Sequence, residues 1–193
     1  MGLDTAIYGR LGFYKDAIEA YKQAIRIDPN NAVAYYNLGI AYYKLGNYTK
    51  AIESYKQATR IDPDCAQAYY NLGIAYYELG NYTKAIESYK QATRIDPDCA
   101  QAYYNLGIAY YELGNYTKAI EFYKQATRIN PNDAKAYCNL GVTYGKLGFY
   151  KDAIEAFKQA IRIDPDDTNA HVGLGFTYHL IGDDNSALNE YKI

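Results

Sequence analysis

The two histidines are the residues that could most readily do chemistry, and their spacing argues against it. His171 and His179 are the only histidines in the 193-residue chain. On one predicted helix they lie about 12 Å apart along the axis at about 1.5 Å per residue, too far to ligate one metal ion together. Neither has a cysteine nearby at the spacing of a zinc site. We expect His171 to replace a packed aromatic residue and His179 to lie at the edge of a groove.

The other motifs of ligand or cofactor chemistry are incomplete. The glycines are single, so they form no phosphate-binding loop. Asp183-Asp184-Asn185 lacks the glycine and the final glutamate of a calcium loop, and is typical of a turn with a helix cap. These observations predict a protein that is not an enzyme and has no cofactor or metal site. Three sequons match the glycosylation pattern, but we expect their asparagines to be unmodified helix caps: Asn47, Asn81 and Asn115.

The elements that carry these residues are set by an internal repeat of 34 residues. The segments 66–99 and 100–133 differ at only four positions. A period of this length indicates a repeat architecture, in which each copy packs on its neighbours rather than on one central core. One helical pattern (helix A) runs from each proline to the next glycine, and a second (helix B) runs from that glycine to the next proline. The prolines are Pro29, Pro63, Pro97, Pro131 and Pro165, and the glycines are Gly12, Gly46, Gly80, Gly114, Gly148 and Gly182.

The third repeat shows the predicted helix ends most clearly. We expect Asp64 to cap helix A with Gln67 as its capping-box partner, and Gly80 to end that helix with a positive φ. Helix B is predicted over residues 82–95, with Asn81 as its cap.

Two small residues are predicted to bring these helices together. Gly73 in helix A costs up to about 1 kcal/mol of helix propensity, and the same glycine recurs at 39, 107, 141 and 175. Gly73 and Ala85 should therefore allow a close approach of the two axes, with aromatic side chains filling the flanking gaps.

This pattern resembles a tetratricopeptide repeat array over essentially the whole chain. The resemblance implies an all-α fold, a right-handed superhelical solenoid of antiparallel helix pairs in which the A helices line a concave groove. It divides a single array of residues 1–193 into repeats 1–31 (with a partial first helix), 32–65, 66–99, 100–133, 134–167 and 168–193 (truncated). The residues that carry the motif are Tyr35, Leu38, Gly39, Tyr42, Gly46, Tyr48, Ala51, Tyr55, Ala58 and Pro63, with their equivalents in later repeats.

The two ends depart from the family pattern. Asp4 and Thr5 stand where Leu-Gly is expected, so the first helix is predicted to be short or frayed. The last repeat has no polar capping helix after it, which such arrays usually need for solubility. Either the chain is a fragment of a longer protein, or an exposed apolar edge meets another molecule and supports a homo-oligomer. The predicted edge residues are Leu174, Tyr178, Leu188 and Tyr191.

The family pattern also implies which A-helix residues face the groove. One asparagine per repeat forms a ladder that resembles the one in the repeat arm of O-linked N-acetylglucosamine transferase. A side-chain amide both donates and accepts hydrogen bonds, so it can pair with a peptide backbone of any sequence. The predicted groove residues are Asn37, Asn71, Asn105, Asn139, Tyr36, Tyr70, Tyr104, Ile40, Ile74, Ile108, Tyr43, Tyr77, Tyr111, Lys44, Glu78 and Glu112.

Two functions fit this surface. The first is a protein–protein interaction module that binds an extended peptide or partner segment in the groove. The second is a structural scaffold, natural or engineered, that assembles through its uncapped terminal repeats. The Tyr-Asn pair is also the commonest filling in this family, so it is equally consistent with stability alone. A carboxylate clamp is disfavoured, because Tyr36 and Ile40 stand where that subtype has lysine and asparagine.

Composition excludes several partners and suggests a compartment. The chain has 20 Lys plus Arg against 22 Asp plus Glu, which gives no case for nucleic acid or a membrane surface. No apolar run approaches the roughly 18 to 20 residues that span a membrane, and the N-terminus does not follow the layout of a signal peptide. Cys65 and Cys99 lie one repeat apart, beyond the roughly 7 Å Cα limit for a disulfide. We expect free thiols and a cytoplasmic protein.

Overall fold

The computed structural model describes the backbone of residues 2–192 and the side chains of residues 12–192, and within these bounds its regular elements are all α-helices. It divides into an N-terminal unit, Met1–Pro97, and a C-terminal unit, Asp98–Ile193. The helices of the N-terminal unit are α1 (Gly2–Ile27), α2 (Ala32–Lys44), α3 (Tyr48–Ile61), α4 (Ala66–Glu78) and α5 (Tyr82–Ile95). Those of the C-terminal unit are α6 (Ala100–Glu112), α7 (Tyr116–Ile129), α8 (Ala134–Lys146), α9 (Tyr150–Ile163), α10 (Thr168–Leu180) and α11 (Asp184–Glu190).

The N-terminal unit is a series of helices packed in chain order. Helix α1 packs on α2, where Ile18 is buried against Leu38 and Ala41. Helices α2 and α3 form one predicted A/B pair, and α4 and α5 form the next. Between the pairs, Tyr55 of α3 is buried against Leu72 of α4. Each apolar contact therefore joins helices that are close in the chain, as the 34-residue period predicts.

The C-terminal unit repeats this arrangement with a shorter last helix. The A/B pairs are α6 with α7, α8 with α9, and α10 with α11. Helices α7 and α9 pack on the A helix that follows each of them, and α8 also contacts α10. This last contact brings two A helices side by side.

Helix ends follow the predicted glycine and asparagine signals. Gly80 has φ 71°, and the four equivalent glycines after A helices have φ between 72° and 81°, a left-handed conformation that side chains disfavour. The Asn81 side chain accepts a hydrogen bond from the Lys84 backbone N–H and caps α5, which spans Tyr82–Ile95 as predicted.

The predicted cap on α4 is wrong. Helix α4 begins at Ala66, its N-cap is Cys65, and no side chain bonds the first turn. Asp64 lies in the preceding turn instead, where its backbone N–H donates to the Asp62 carboxylate. That local turn after Pro63 places Asp64 too early in the chain to cap the helix.

The close contact of each helix pair is between a glycine and a ring. A Cβ placed on Gly73 would lie 2.5 Å from the ring of Tyr89, and Gly39 stands in the same relation to Tyr55. Both rings are only 2% exposed. Gly73 thus makes room for a buried tyrosine of the B helix, and Ala85 of the same B helix is fully buried.

Helix α1 differs from the prediction for the first repeat. The sequence predicts a short first helix that ends at Gly12, whereas α1 continues through Gly12 as one helix from Gly2 to Ile27. In the later repeats, hairpin closure depends on a glycine that admits the B-helix ring. The first repeat has Thr5 at that place, so it lacks the glycine that the later hairpins share.

Candidate functional site

The A helices present the predicted groove residues as a half-buried surface. On α2 and α4, the tyrosines, asparagines and isoleucines of the predicted set are all partly exposed, and the charged residues Lys44 and Glu78 are fully exposed. On α6, the equivalent side chains from Tyr104 to Tyr111 are also partly exposed or half-buried, and Glu112 is exposed. The predicted residues therefore lie where a partner could reach them.

Five of the predicted residues come together in a pocket of the N-terminal unit. The pocket has a volume of about 270 Å³. It lies between α2 and α4, with a buried ring of α3 as its floor. Its lining residues are Ile40, Tyr43, Lys44, Tyr55, Asn71 and Ile74.

The C-terminal unit contains the equivalent pocket between α6 and α8. Its volume is about 250 Å³, and every lining residue lies two repeats after its counterpart. Tyrosines, asparagine and one isoleucine recur unchanged, while lysine is replaced by glutamate and the second isoleucine by valine. The lining residues are Ile108, Tyr111, Glu112, Tyr123, Asn139 and Val142.

The asparagine ladder has a structural role that the sequence did not predict. The Asn71 amide N–H donates to the Tyr36 hydroxyl at 3.0 Å, and Asn139 donates to the Tyr104 hydroxyl at the same distance. The Asn71 carbonyl oxygen also accepts from Gln67 at 3.4 Å. The two asparagine–tyrosine bonds join neighbouring A helices, whereas the bond from Gln67 lies within α4. An amide has two N–H groups and two lone pairs, so a second partner can still bind these side chains.

A tyrosine hydroxyl at the groove is also held in place. Tyr43 donates to the Glu78 carboxylate at 3.2 Å. Burial and the nearby Glu78 charge raise the pKa of Tyr43 to about 12, so the hydroxyl stays protonated at neutral pH. The Tyr43 ring lies 5.3 Å from the Tyr48 ring, and the equivalent pair Tyr111 and Tyr116 lies at 5.2 Å. These contacts pre-position the aromatic part of each pocket.

Sequence reasoning missed two kinds of groove residue. It placed the site on A helices only, whereas Tyr55 and Tyr123 of the B helices form the pocket floors. It also took only Asn139 from the last two A helices, where Gly145 replaces the groove tyrosine and Gly173 replaces the ladder asparagine. The sequence did contain a signal for these two positions, because both glycines depart from an otherwise strict repeat.

The histidines hold local structure. His171 is buried, with its Nδ1 2.7 Å from the Glu190 carboxylate and its Nε2 3.0 Å from the Pro165 carbonyl oxygen. His179 is exposed and lies 2.8 Å from the Asp184 carboxylate. Asp183 caps α11 by accepting from the Ser186 N–H, as the turn-and-cap interpretation predicts.

The three cysteines are free thiols in two different settings. Cys65 and Cys99 are partly exposed helix N-caps, and Cys138 is buried. Burial and the Asp167 charge raise the pKa of Cys138 to about 11. A thiol with so high a pKa carries almost no thiolate at neutral pH and is a poor nucleophile.

The predicted C-terminal edge needs one correction. Leu188 and Tyr191 are about half exposed, at 55% and 50%, and Tyr178 is partly exposed. Leu174, in contrast, is only 1% exposed. It faces the core because it occupies the motif leucine position of its A helix, which is buried in each of the preceding repeats.

Paired antiparallel helices with a glycine-to-ring contact at every hairpin define a tetratricopeptide repeat protein. The family profile of the C-terminal domain of cilia and flagella-associated protein 70 matches residues 3–175. The chain belongs to this tetratricopeptide repeat family, which confirms the predicted all-α fold and makes the chain a protein-interaction module. The likeness of its asparagine ladder to that of the glycosyltransferase stays a prediction.

Solved structures show the same fold. MamA is 32% identical over 80% of this chain and 91% of its own, with a TM-score of 0.78. MamA from Desulfovibrio magneticus RS-1, from residue 41 onward, is 25% identical over 83% of this chain and 91% of its own, also at 0.78. YrrB, described as a TPR protein with an unusual peptide-binding site, is 24% identical over 91% of this chain and 90% of its own, at 0.79. No curated protein matches the sequence.

Two features are absent from the described residues. None of their helices has the length and apolar character needed to cross a membrane. None of their His, Cys, Asp and Glu side chains forms a cluster of three or more that could hold a metal ion.

Proposed function

We propose that this chain is a non-enzymatic module that binds extended segments of partner proteins on its A-helix face. The observation that carries the proposal is the recurrence of one pocket. The same six positions line an open pocket in each unit, with volumes of about 270 and 250 Å³. A half-exposed position with the same residue type in both pockets can make the same contact with a partner segment twice.

The chemistry of the pockets favours a peptide over other ligands. Each combines an isoleucine side chain, two tyrosine rings and one asparagine amide. Tyrosine supplies large, rigid contact area with a polar tip, the kind of surface enriched in binding hot spots. The amide can pair with a backbone carbonyl or N–H whatever the peptide sequence. An extended chain presents both features at regular intervals.

The experiment selects binders of the full chain from a library of short random peptides and measures their affinity by fluorescence polarisation. The variant Ile40→Ser with Ile108→Ser removes apolar contact from both pockets. Because burial of such a side chain contributes about 1.5 kcal/mol or more, we expect the selected peptides to bind at least about tenfold more weakly.

The matched control is Glu53→Gln with Glu121→Gln, two exposed positions on B helices. It should leave affinity within about twofold, as expected for surface changes outside the contact. Helical circular dichroism of both variants must match that of the parent chain. Equal binding by the parent and the isoleucine variant would contradict the proposal.

A second candidate function is self-association through the C-terminal edge. Leu188 and Tyr191 on this edge are 55% and 50% exposed, and Ile181 in the preceding turn is 49% exposed. Exposed apolar side chains grouped in this way are typical of an interface. The edge offers only a few such residues, so we rank it below the groove.

Sedimentation velocity over a range of concentrations distinguishes the two candidates. Self-association predicts a sedimentation coefficient that rises with concentration, and Leu188→Glu should abolish the rise. Tyr191 is left unchanged, because its ring packs against Gly175. A coefficient that stays at the monomer value throughout contradicts the second candidate and leaves the first untouched.

A further inference from the structure

The C-terminal unit contains another pocket, between α8 and α10, one repeat after the pocket at Asn139. Its volume is about 190 Å³. Positions that line the two groove pockets line this one too, but several have changed residue type. The lining residues are Gly141, Val142, Gly145, Lys146, Phe157, Gly173, Phe176, Thr177 and Leu180.

The main change is a missing aromatic ring. Tyr43 and Tyr111 fill the equivalent place in the other two pockets, each beside a second tyrosine ring. Gly145 has no side chain, and a Cβ built there meets no atom within 4 Å. The space that a tyrosine ring fills in those repeats is therefore open here.

The floor and the inner wall have also lost their polar groups. Phe157 replaces the tyrosine of the other floors and is 2% exposed. Gly173 replaces the ladder asparagine, and a Cβ there would lie 2.5 Å from the Phe157 ring. The Thr177 hydroxyl donates to the Gly173 carbonyl oxygen at 2.7 Å, so it is already paired. The inner surface is thus apolar.

The rim combines exposed apolar side chains with one positive charge. Phe176 is 56% exposed and Leu180 is 46% exposed, although both sit on a well-packed helix. Lys146 lines the pocket opening, and no carboxylate of residues 12–192 forms a salt bridge with it. Lys135 is also exposed, on the same helix. An apolar hollow beside an ammonium group fits an apolar side chain that has a carboxylate next to it.

We propose that this pocket anchors one aromatic side chain of a bound protein segment, with a neighbouring carboxylate of that segment paired to Lys146. The assignment rests on the proposed peptide-binding function and adds a sequence preference to it. The volume of the pocket agrees with an aromatic side chain, because an apolar cavity of about 150 Å³ in another protein takes up benzene. A tyrosine ring fills the equivalent place in the other two pockets, so an aromatic side chain of the bound segment fits this space better than a branched aliphatic one.

The probe is N-acetyl-Phe-Asp-amide, titrated into the isotope-labelled full chain and followed by NMR. Gly145 and Gly173 have no glycine counterparts in the near-identical repeats, so their backbone amide signals can be distinguished. We expect both signals to shift saturably. N-acetyl-Ala-Asp-amide should bind at least about tenfold more weakly, because it buries no ring. N-acetyl-Phe-Asn-amide should bind about threefold more weakly, as expected for a lost surface ion pair.

Two substitutions at one position separate occupancy from stability. Gly145→Tyr restores the residue of the regular repeats and fills the pocket, so it should weaken binding of the probe at least about tenfold. Gly145→Ala leaves the pocket open and should change affinity by less than about twofold. A Cβ at this position meets no atom within 4 Å, and helical circular dichroism checks that both variants fold.

The outcomes are distinguishable from those of the peptide-library test. The pocket assignment is overturned if the alanine and phenylalanine probes bind equally, or if Gly145→Tyr binds as well as Gly145→Ala. It is also overturned if the Gly145 and Gly173 signals shift with protein concentration alone, since a second copy would then occupy the pocket. Library peptides that depend on Ile40 and Ile108 but do not use this pocket would sustain the proposed function without it.

Discussion

In the C-terminal unit, individual glycines have two separate roles. Gly107 is buried, and a Cβ there would lie 2.5 Å from the ring of Tyr123, which is 2% exposed. Gly145 lies on α8 with open space at its Cβ position. One glycine is required by packing, whereas the other costs helix propensity without any packing constraint.

Alanine substitutions should therefore have opposite effects at these two positions. Gly107→Ala overpacks a buried contact and should lower the free energy of unfolding by about 1–3 kcal/mol. Gly145→Ala should raise it by up to about 1 kcal/mol, because alanine is the better helix former. Urea denaturation followed by circular dichroism measures both. A stabilised Gly107→Ala variant would show that the Tyr123 ring can move aside.

His171 is the residue whose charge matters most to the last helix pair. Its two ring nitrogens face a carboxylate of Glu190 and the Pro165 carbonyl oxygen. Both partners are acceptors, so only the protonated ring donates to both. Burial opposes that charge, but these hydrogen bonds and the charges of Glu190 and Asp167 outweigh it and raise the pKa of His171.

A raised pKa sets the sign of the pH dependence. The stabilisation of the folded state by protonated His171 is fully present below the unfolded-state pKa of about 6.5. It is lost as pH rises through the higher folded-state pKa. We expect the free energy of unfolding to fall by about 1 kcal/mol across this window, relative to the variant Glu190→Gln. Thermal unfolding of both proteins between about pH 5.5 and pH 8.5 measures the difference. Parallel curves would contradict this role for His171.

Within the helix pairs, one substitution turns an open surface into an aromatic stack. Phe122 of α7 stacks on Tyr110 of α6, with centroids 5.3 Å apart and planes at 4°, and lies 6.4 Å from Tyr103. The equivalent residue of α5 is Ser88, which donates to the Lys84 carbonyl oxygen of its own helix. A cavity of about 500 Å³ lies over Ser88.

Copying the stack into the N-terminal unit should stabilise it. Ser88→Phe places a ring between Tyr69 and Tyr76, as Phe122 does between their counterparts, and should add about 1 kcal/mol to the free energy of unfolding. The reverse change, Phe122→Ser, should remove a similar or larger amount. Chemical denaturation measures both, with Ser88→Ala as the control for loss of the hydroxyl. A destabilised Ser88→Phe variant would mean that the two helix pairs are not equivalent.

Helix positions were predictable because each end has a local cause. The φ of Gly80 and the cap at Asn81 depend on residues next to the helix ends, so sequence was sufficient to place them. The cap at Asp64 was predicted wrongly because α4 begins at Ala66, which makes Cys65 the N-cap and leaves Asp64 one residue too early. The continuity of α1 through Gly12 was not predicted, because Gly12 matches the glycines that follow the later A helices.

For the whole molecule, the period predicted which positions recur on the A helices but not how their side chains are connected. The Asn71 bond to Tyr36 spans 35 residues and becomes visible only when neighbouring A helices are in place. The period did not predict the pocket at Gly145 either, because this pocket forms where the other repeats have a side chain and this repeat has glycine. The strict repeat identified the regular groove residues, but it did not identify the positions that depart from it, such as Gly145 and Gly173.

The lysine-to-glutamate change between the two groove pockets has a consequence for the order in which they fill. Lys44 lines one pocket and Glu112 the other, while the rest of the lining is nearly the same. An anionic peptide should therefore occupy the N-terminal pocket first, and its cationic counterpart the C-terminal pocket first, with a preference of up to about 1 kcal/mol that salt screens. Site-resolved NMR titrations of the two peptides would reveal the two binding orders. The chain is almost neutral as a whole, so such a preference would come from these two local charges and not from the net charge.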